Sequence, residues 1–172
     1  MTTDEATPSA RLLALLGPVL QLVAEFSPAR QRNAPAVEEI QQTLNQRFPI
    51  LGQTVARIGT EVRLGIADGW LCNRGSPDAR FSRLAKPSPK TFELSVDVVN
   101  MIGSAVDHSH PQGETTLGFA ADPEHAGTCR FDGRPAGWVF LPPGSRHVPL
   151  VEGSRMHLIY FLPEGAVEWH GA

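Results

Sequence analysis

Cysteine is scarce in this chain, and its two copies, Cys72 and Cys129, stand far apart. Without a CxxC pair, a zinc ribbon and a thioredoxin-like dithiol are excluded. Nothing in the sequence demands a disulfide. Lysine is almost missing: of 15 basic residues only Lys86 and Lys90 are lysine. Positive charge is not in excess either. The formal net charge is -3, which speaks against a basic face for sequence-blind nucleic-acid binding. There is no long hydrophobic run. The most apolar stretch, 12–24, is interrupted by Gly17, Pro18 and Gln21 and is too short to span a bilayer. The first five residues, Met1-Thr2-Thr3-Asp4-Glu5, are acidic where a secretory signal needs positive charge. A cytoplasmic, reducing setting with no membrane partner is therefore expected. No glycine-rich dinucleotide fingerprint occurs, so no nucleotide cofactor is expected. No repeat of 20–50 residues exists, which excludes a solenoid or propeller.

What is present is an ordinary globular composition, 41% hydrophobic and 19% charged over 172 residues, too apolar for a disordered chain. Glycine (16) and proline (15) make up nearly a fifth of it, against a usual share of about 12%, and so many turn residues favour short strands. They are unevenly spread. Leu12, Leu16, Val19 and Val23 recur at helical spacing, with a kink or split expected at Gly17-Pro18. A second helix fits 35–47, with Pro35 at its first position and Val37, Ile40, Leu44 and Phe48 as its stripe. A third stripe, Leu51, Val55, Ile58, Val62 and Ile66, keeps one helical face. Residues 73–90, rich in Arg, Ser, Pro and Gly, read as loop. Beyond them, seven short β-branched and aromatic runs alternate with turns: 92–99, 115–119, 128–131, 138–141, 147–151, 156–162 and 167–170. The expected organisation is a helical region over 1–69, serving as a cap or dimer element, and a β-barrel over 70–172.

The chemistry concentrates in His108-Ser109-His110-Pro111-Gln112-Gly113-Glu114. Two histidines two apart on an extended strand point to one face, and a carboxylate four residues on, after a turn, can close the same coordination shell. Pro142-Pro143-Gly144-Ser145-Arg146-His147 then offers a tight turn that delivers a third histidine. Three imidazoles and a carboxylate suit Fe, Mn, Ni, Co, Cu or Zn as a divalent ion, and an octahedral ion keeps open positions for substrate or water. By composition alone the first pattern is expected about 0.01 times and the second about 0.05 times in such a chain.

These two segments resemble the two motifs of the cupin superfamily, H-x-H with a following Glu and P-x-G-x2-H. The resemblance implies a mainly β fold: a cupin-type antiparallel β-barrel (double-stranded β-helix) with an N-terminal α-helical region. It also implies a metal at His108, His110, Glu114 and His147. The chain departs from the pattern at the spacing of Gly103, at Ala121 and at Val151, while all four ligand positions are intact. Further segments resemble a small bacterial cupin family, the 4-hydroxylaminobenzoate lyases. They are Asp68-Gly69-Trp70-Leu71-Cys72-Asn73-Arg74, Arg83-Leu84-Ala85-Lys86-Pro87-Ser88-Pro89, Ser95-Val96-Asp97-Val98-Val99, Phe131-Asp132-Gly133-Arg134-Pro135-Ala136-Gly137-Trp138 and Leu162-Pro163-Glu164-Gly165-Ala166-Val167-Glu168. That resemblance implies conversion of 4-hydroxylaminobenzoate and water to protocatechuate and ammonia.

A small aromatic acid as substrate needs a cation, and arginine's flat fork suits its carboxylate. Arg83 and Arg146 are the first candidates, with Arg80, Arg130 and Arg134 behind them. Trp138 is a candidate wall for the ring. His157 and Tyr160 are candidates for proton transfer; their opposite parity on one strand admits only one to the barrel interior, with His157 favoured. Two further functions remain open at this level: a cupin dioxygenase using Fe(II) and O2 on a small aromatic or thiol substrate, and a non-enzymatic binder of a small acid. A homodimer is expected, formed by edge strands or the added helices.

Overall fold

A computed structural model describes residues 6–171. Three helices come first: α1 (Pro8–Glu25), α2 (Val37–Arg47) and α3 (Gln53–Ala67). Ten strands follow: β1 (Arg74–Gly75), β2 (Ala79–Ala85), β3 (Leu94–Ser104), β4 (His108–His110), β5 (Glu114–Ala120), β6 (Arg130–Phe131), β7 (Gly137–Leu141), β8 (Ser145–His147), β9 (Leu150–Pro163) and β10 (Glu168–Trp169). They form two antiparallel sheets. The larger runs β1-β2-β3-β9-β5-β7, with β6 also paired to β9; the smaller runs β10-β4-β8. This is the expected mainly antiparallel β architecture with an N-terminal helical region.

Side-chain alternation explains the layering. Val96 and Val98 of β3, Leu117 and Phe119 of β5, and Ile159 and Phe161 of β9 share a core with Leu12, Leu16 and Val19 of α1 and Ile58 and Val62 of α3. The helices therefore cover one face of the large sheet. The opposite face carries Met101, Val139, Leu158, Tyr160 and Leu162 in a second cluster, and it looks toward the small sheet. Strand β9 is buried on both faces from Met156 to Leu162. Each such aliphatic or aromatic side chain contributes roughly 1.5–3 kcal/mol by leaving water, so the middle of the molecule is its most stable part. No described helix is long and apolar enough to cross a membrane.

Several elements differ from expectation. Helix α1 runs through Gly17-Pro18 unbroken. Thr7 caps it through the Ala10 N–H, and its buried stripe outweighs the one hydrogen bond that Pro18, exposed on the far side, removes. Helix α2 begins at Val37 rather than Pro35, because Ala36 has extended backbone and acts as its N-cap. Leu51, expected in the third stripe, precedes α3 and is 94% exposed. Residues 73–90 are not all loop. Strands β1 and β2 lie there at the margin of the large sheet, where exposed Arg80, Phe81 and Arg83 and a buried Ser82, bonded to the Cys72 N–H, hide the usual apolar alternation.

Candidate metal centre

Strand β4 presents His108 and His110 on one face. Its neighbour β8 sets His147 directly opposite His108. The chain then turns at Pro111-Gln112-Gly113, closed by the Gly113 N–H to the His110 carbonyl (3.1 Å). Gly113 has φ +85°, and a Cβ there would stand 2.9 Å from the Leu141 carbonyl oxygen. Only glycine fits this turn without strain, and the turn delivers Glu114 as the first residue of β5. The Pro142–Ser145 turn is tied to the same place: Gly144 N–H donates to the His110 carbonyl at 2.8 Å. Three histidines thus come from the small sheet and one carboxylate from the large one.

Their donor atoms lie within 4.8 Å of one another. His110 Nε2 is 2.7 Å from Glu114 Oε2 and 3.1 Å from His147 Nε2. His108, His110 and Glu114 are 7%, 1% and 1% exposed. The outer atoms of His108, His147 and Glu114 are oriented by neighbours, whereas His110 Nδ1 is buried without a hydrogen-bond partner. His108 Nδ1 lies 2.7 Å from the Val106 carbonyl, which can only accept, so Nδ1 carries the hydrogen and Nε2 the lone pair. His147 Nδ1 lies 2.7 Å from Asp132 Oδ2. The Thr116 hydroxyl donates to Glu114 Oε1 at 2.5 Å. Such outer partners fix the tautomer a metal ligand needs. Two imidazole nitrogens facing each other at hydrogen-bond distance, beside a buried carboxylate, form a donor set that suits a first-row divalent ion.

Burial pushes the His108 imidazole below its ordinary pKa, aided by His110 and His147, against the Val106 carbonyl and Glu114. It is therefore neutral at pH 7, as a ligand must be. Burial also pulls on His147, but the Asp132 hydrogen bond and the charges of Glu114, Asp132 and Asp107 outweigh it and raise its pKa.

His108, His110 and Glu114 border a cavity of about 650 Å³ between the two sheets. Its walls are mainly apolar, with Phe81, Val99 and Leu162 from the large sheet facing Val106 and Trp169. Trp169 packs its ring 5.0 Å from that of His108. Its titratable lining comprises His108, His110, Glu114 and Tyr160 together with the Arg83–Asp97 pair. Arg83 is the cation on this lining. Its Nε donates to Asp97 Oδ1 at 2.8 Å and its Nη2 to Oδ2 at 3.3 Å, and the Ser95 hydroxyl bonds Asp97 as well. Sheet register places Arg83, Asp97, Tyr160 and Thr116 in one row across four strands. Tyr160 is buried, and burial first, then Glu114 and Asp132, raise its phenol well above the usual value; its hydroxyl stays protonated.

The structure thus brings together His108, His110, Glu114 and His147, and places Tyr160 and Arg83 on the same cavity. It does not bring His157, Trp138 or Arg146 there. His157 shares the parity of Ile159 and Phe161 and faces the helices, edge-on to Phe119; of the two candidates on β9, Tyr160 and not His157 looks inward. Trp138 stacks on Phe161 and donates its Nε1–H to the Phe48 carbonyl at 2.8 Å, within the helix-facing core. Arg146 alternates with His147, so it points outward, where it pairs with Asp107 at 2.6 Å. Sequence reasoning missed Asp132, Thr116 and Asp97 as supports and Phe81 and Trp169 as walls. Only Asp132 carried a local signal, the Asp-Gly pair of a tight turn.

Comparison with known proteins adds the following. The model of the family described as PnbB, 4-hydroxylaminobenzoate lyase, matches residues 22–169. A 4-hydroxylaminobenzoate lyase of Pseudomonas putida is 32% identical over 157 residues, covering 82% of this chain and 88% of its own. One from Nocardioides sp. (strain LMS-CY) is 29% identical, covering 80% and 85%. Among solved structures, a cupin-like protein from Thermotoga maritima is 18% identical with a TM-score of 0.42, covering 58% of this chain and 84% of that one. A salicylate 1,2-dioxygenase from Pseudaminobacter salicylatoxidans is 15% identical with a TM-score of 0.37, covering 67% and 36%.

Proposed function

Because the chain belongs to the 4-hydroxylaminobenzoate lyase family, we propose that it converts 4-hydroxylaminobenzoate, or a close hydroxylamino aromatic acid, and water to protocatechuate and ammonia. The observation that carries this reading to the site is one apolar cavity lined both by His108, His110 and Glu114 of the three-histidine, one-glutamate cluster and by an arginine oriented by Asp97. The conversion is redox-neutral. The two electrons that reduce the N–O bond come from the ring, where the C–N bond and one neighbouring C–H bond are both replaced by C–O bonds and nitrogen leaves as ammonia, so no external reductant is needed.

A divalent transition ion held by His108, His110, Glu114 and His147 would supply Lewis acidity and an acidified water. The chain's own groups do the rest. Arg83, preset by Asp97, offers its free N–H edge to the substrate carboxylate. The walls from Phe81, Val99 and Trp169 take the ring. Tyr160, protonated and on the cavity, holds a proton at Oη for the departing nitrogen or oxygen. The working unit is proposed to be a homodimer, and light scattering showing only single chains would exclude that.

The test is metal analysis of the purified protein together with a strictly anaerobic assay on 4-hydroxylaminobenzoate. Equimolar protocatechuate and ammonia, lost in His108→Ala and His147→Ala along with bound metal, are expected. Dependence on O2, or no turnover by the metal-loaded protein, would overturn the proposal.

A further inference from the structure

Asp132 and Gly133 occupy the two central positions of a tight turn between Phe131 and Arg134. Both have positive φ, +49° and +76°. Phe131 and Arg134 exchange both backbone hydrogen bonds, at 2.8 and 2.9 Å. These are the features of a two-residue primed hairpin turn, for which Asp-Gly is a preferred pair. Tight turns are common, but this one is fastened where it stands. The Asp132 N–H donates to the Leu150 carbonyl at 2.8 Å, and the Leu150 N–H donates to Asp132 Oδ1 at 2.8 Å. One carboxylate oxygen is thereby committed to a group that can only donate. The other, Oδ2, is left 2.7 Å from His147 Nδ1.

We infer that Asp132 is a positioning residue for the metal centre: it dictates which nitrogen of His147 carries the hydrogen. A carboxylate has no hydrogen to give, so Nδ1 must donate, and the lone pair falls on Nε2, which faces His110 Nε2 at 3.1 Å. His147 has particular need of such help. His108 and His110 share one short strand, and Glu114 follows through a four-residue turn, whereas His147 comes from a separate strand of three residues. The Asp132 turn, anchored to the start of β9, supplies the second point that fixes its ring. The inference rests on the four-ligand metal reading and is independent of which substrate is turned over.

Asp132→Asn separates orientation from bulk. The amide has the same shape but a single acceptor. If its oxygen stays with the Leu150 N–H, its NH2 faces His147 Nδ1, which must then accept, and the hydrogen moves to Nε2, where it blocks the metal. If the amide flips, the Leu150 N–H loses its acceptor. The probe is Co(II) or Zn(II) added to apo-protein in competition with a chromophoric chelator. Affinity is expected to fall about 10–100-fold in Asp132→Asn, the usual effect of losing such an outer partner, and to collapse in His147→Ala.

A second measurement needs no variant at the turn. Nitrogen-15 shifts of His147 in wild-type apo-protein, taken above pH 8.5 and assigned with His147→Gln, should report the Nδ1–H tautomer. Wild-type affinity in Asp132→Asn, or an Nε2–H tautomer in the wild type, would overturn the role of Asp132 while leaving the metal site standing. Undiminished affinity in His147→Ala would instead overturn the metal reading on which it depends.

Discussion

His157 gives the most quantitative prediction. It lies on β9, 4% exposed, between the large sheet and α3. Its Nδ1 has no hydrogen-bond partner. Burial, with Arg63 and Arg155 nearby, lowers its pKa from 6.5 to about 4. Arg63 is fixed there, bonded to the Ala120 and Ala121 carbonyls at 3.0 and 3.1 Å and lying over the Phe119 ring. The native protein therefore keeps this imidazole neutral, while the unfolded chain protonates it below pH 6.5. Stability must fall as the pH drops from about 6.5 to about 4 and level off below that. At pH 5 the loss, relative to pH 8, is about 2 kcal/mol, since one pKa unit corresponds to about 1.4 kcal/mol. For a chain of this size that is a fall of about 4–8 °C in Tm. The assay is a series of thermal or urea melts from pH 8 to 4.5 on metal-free protein, comparing wild type with His157→Gln. The absolute stability of the variant is immaterial; its dependence on pH is the readout. The variant should lose about 2 kcal/mol of the acid sensitivity and keep its activity at pH 7.5 once metal is restored. Parallel pH profiles would refute the reasoning about burial. A large loss of activity in the variant would refute the placement of His157 away from the chemistry.

Trp138→Phe should cost about 2 kcal/mol: about 1 for a void of roughly 40 Å³, and about 1 for the lost bond to the Phe48 carbonyl. KM should stay unchanged, and a raised KM at unchanged Tm would return Trp138 to the site. Arg83→Ala should lower kcat/KM for a carboxylate substrate about 10–150-fold, matching the roughly 1.5–3 kcal/mol of a hydrogen bond to a charged group, mostly through KM. The same variant should discriminate little between an acid and its neutral amide, and kinetics on that pair check it. Because the proposed metal ligands come from both sheets, a chelator should lower Tm in proportion to log free metal. About 4 kcal/mol is at stake at a thousandfold excess over Kd, and calorimetry with and without EDTA measures it.

The cluster of three histidines and one glutamate was legible because its geometry is local. Strand parity aligns His108 with His110, a short turn returns Glu114, and a Pro-Gly turn launches His147. Which face of β9 looks inward was not legible. Met156 to Leu162 is buried on both sides, so the alternation that would distinguish Tyr160 from His157 is erased. The same burial on both faces of β7 made Trp138 ambiguous. Strand β2 was hidden by its polar residues, and Arg83 acquires its meaning only through pairing with Asp97, fourteen positions away. Asp132 is fifteen residues from His147, and no periodicity connects a hairpin turn to the ligand it orients.

Strand β10 is two residues long and pairs only with β4. Beyond it the chain is pinned by the His170 N–H to the Asp107 carbonyl and by a contact of its ring with Ser109. Yet this slight strand brings Trp169, 67% exposed, against His108 and the cavity. The wall is thus built from a segment on which the core does not depend. Substitutions at 168–170, all exposed, can change what the cavity admits while the melting temperature barely registers them. Relatives of this chain can therefore diverge in the acid they accept without first acquiring stability to spare. In a library screened for new substrates, this tail is the least costly place to begin.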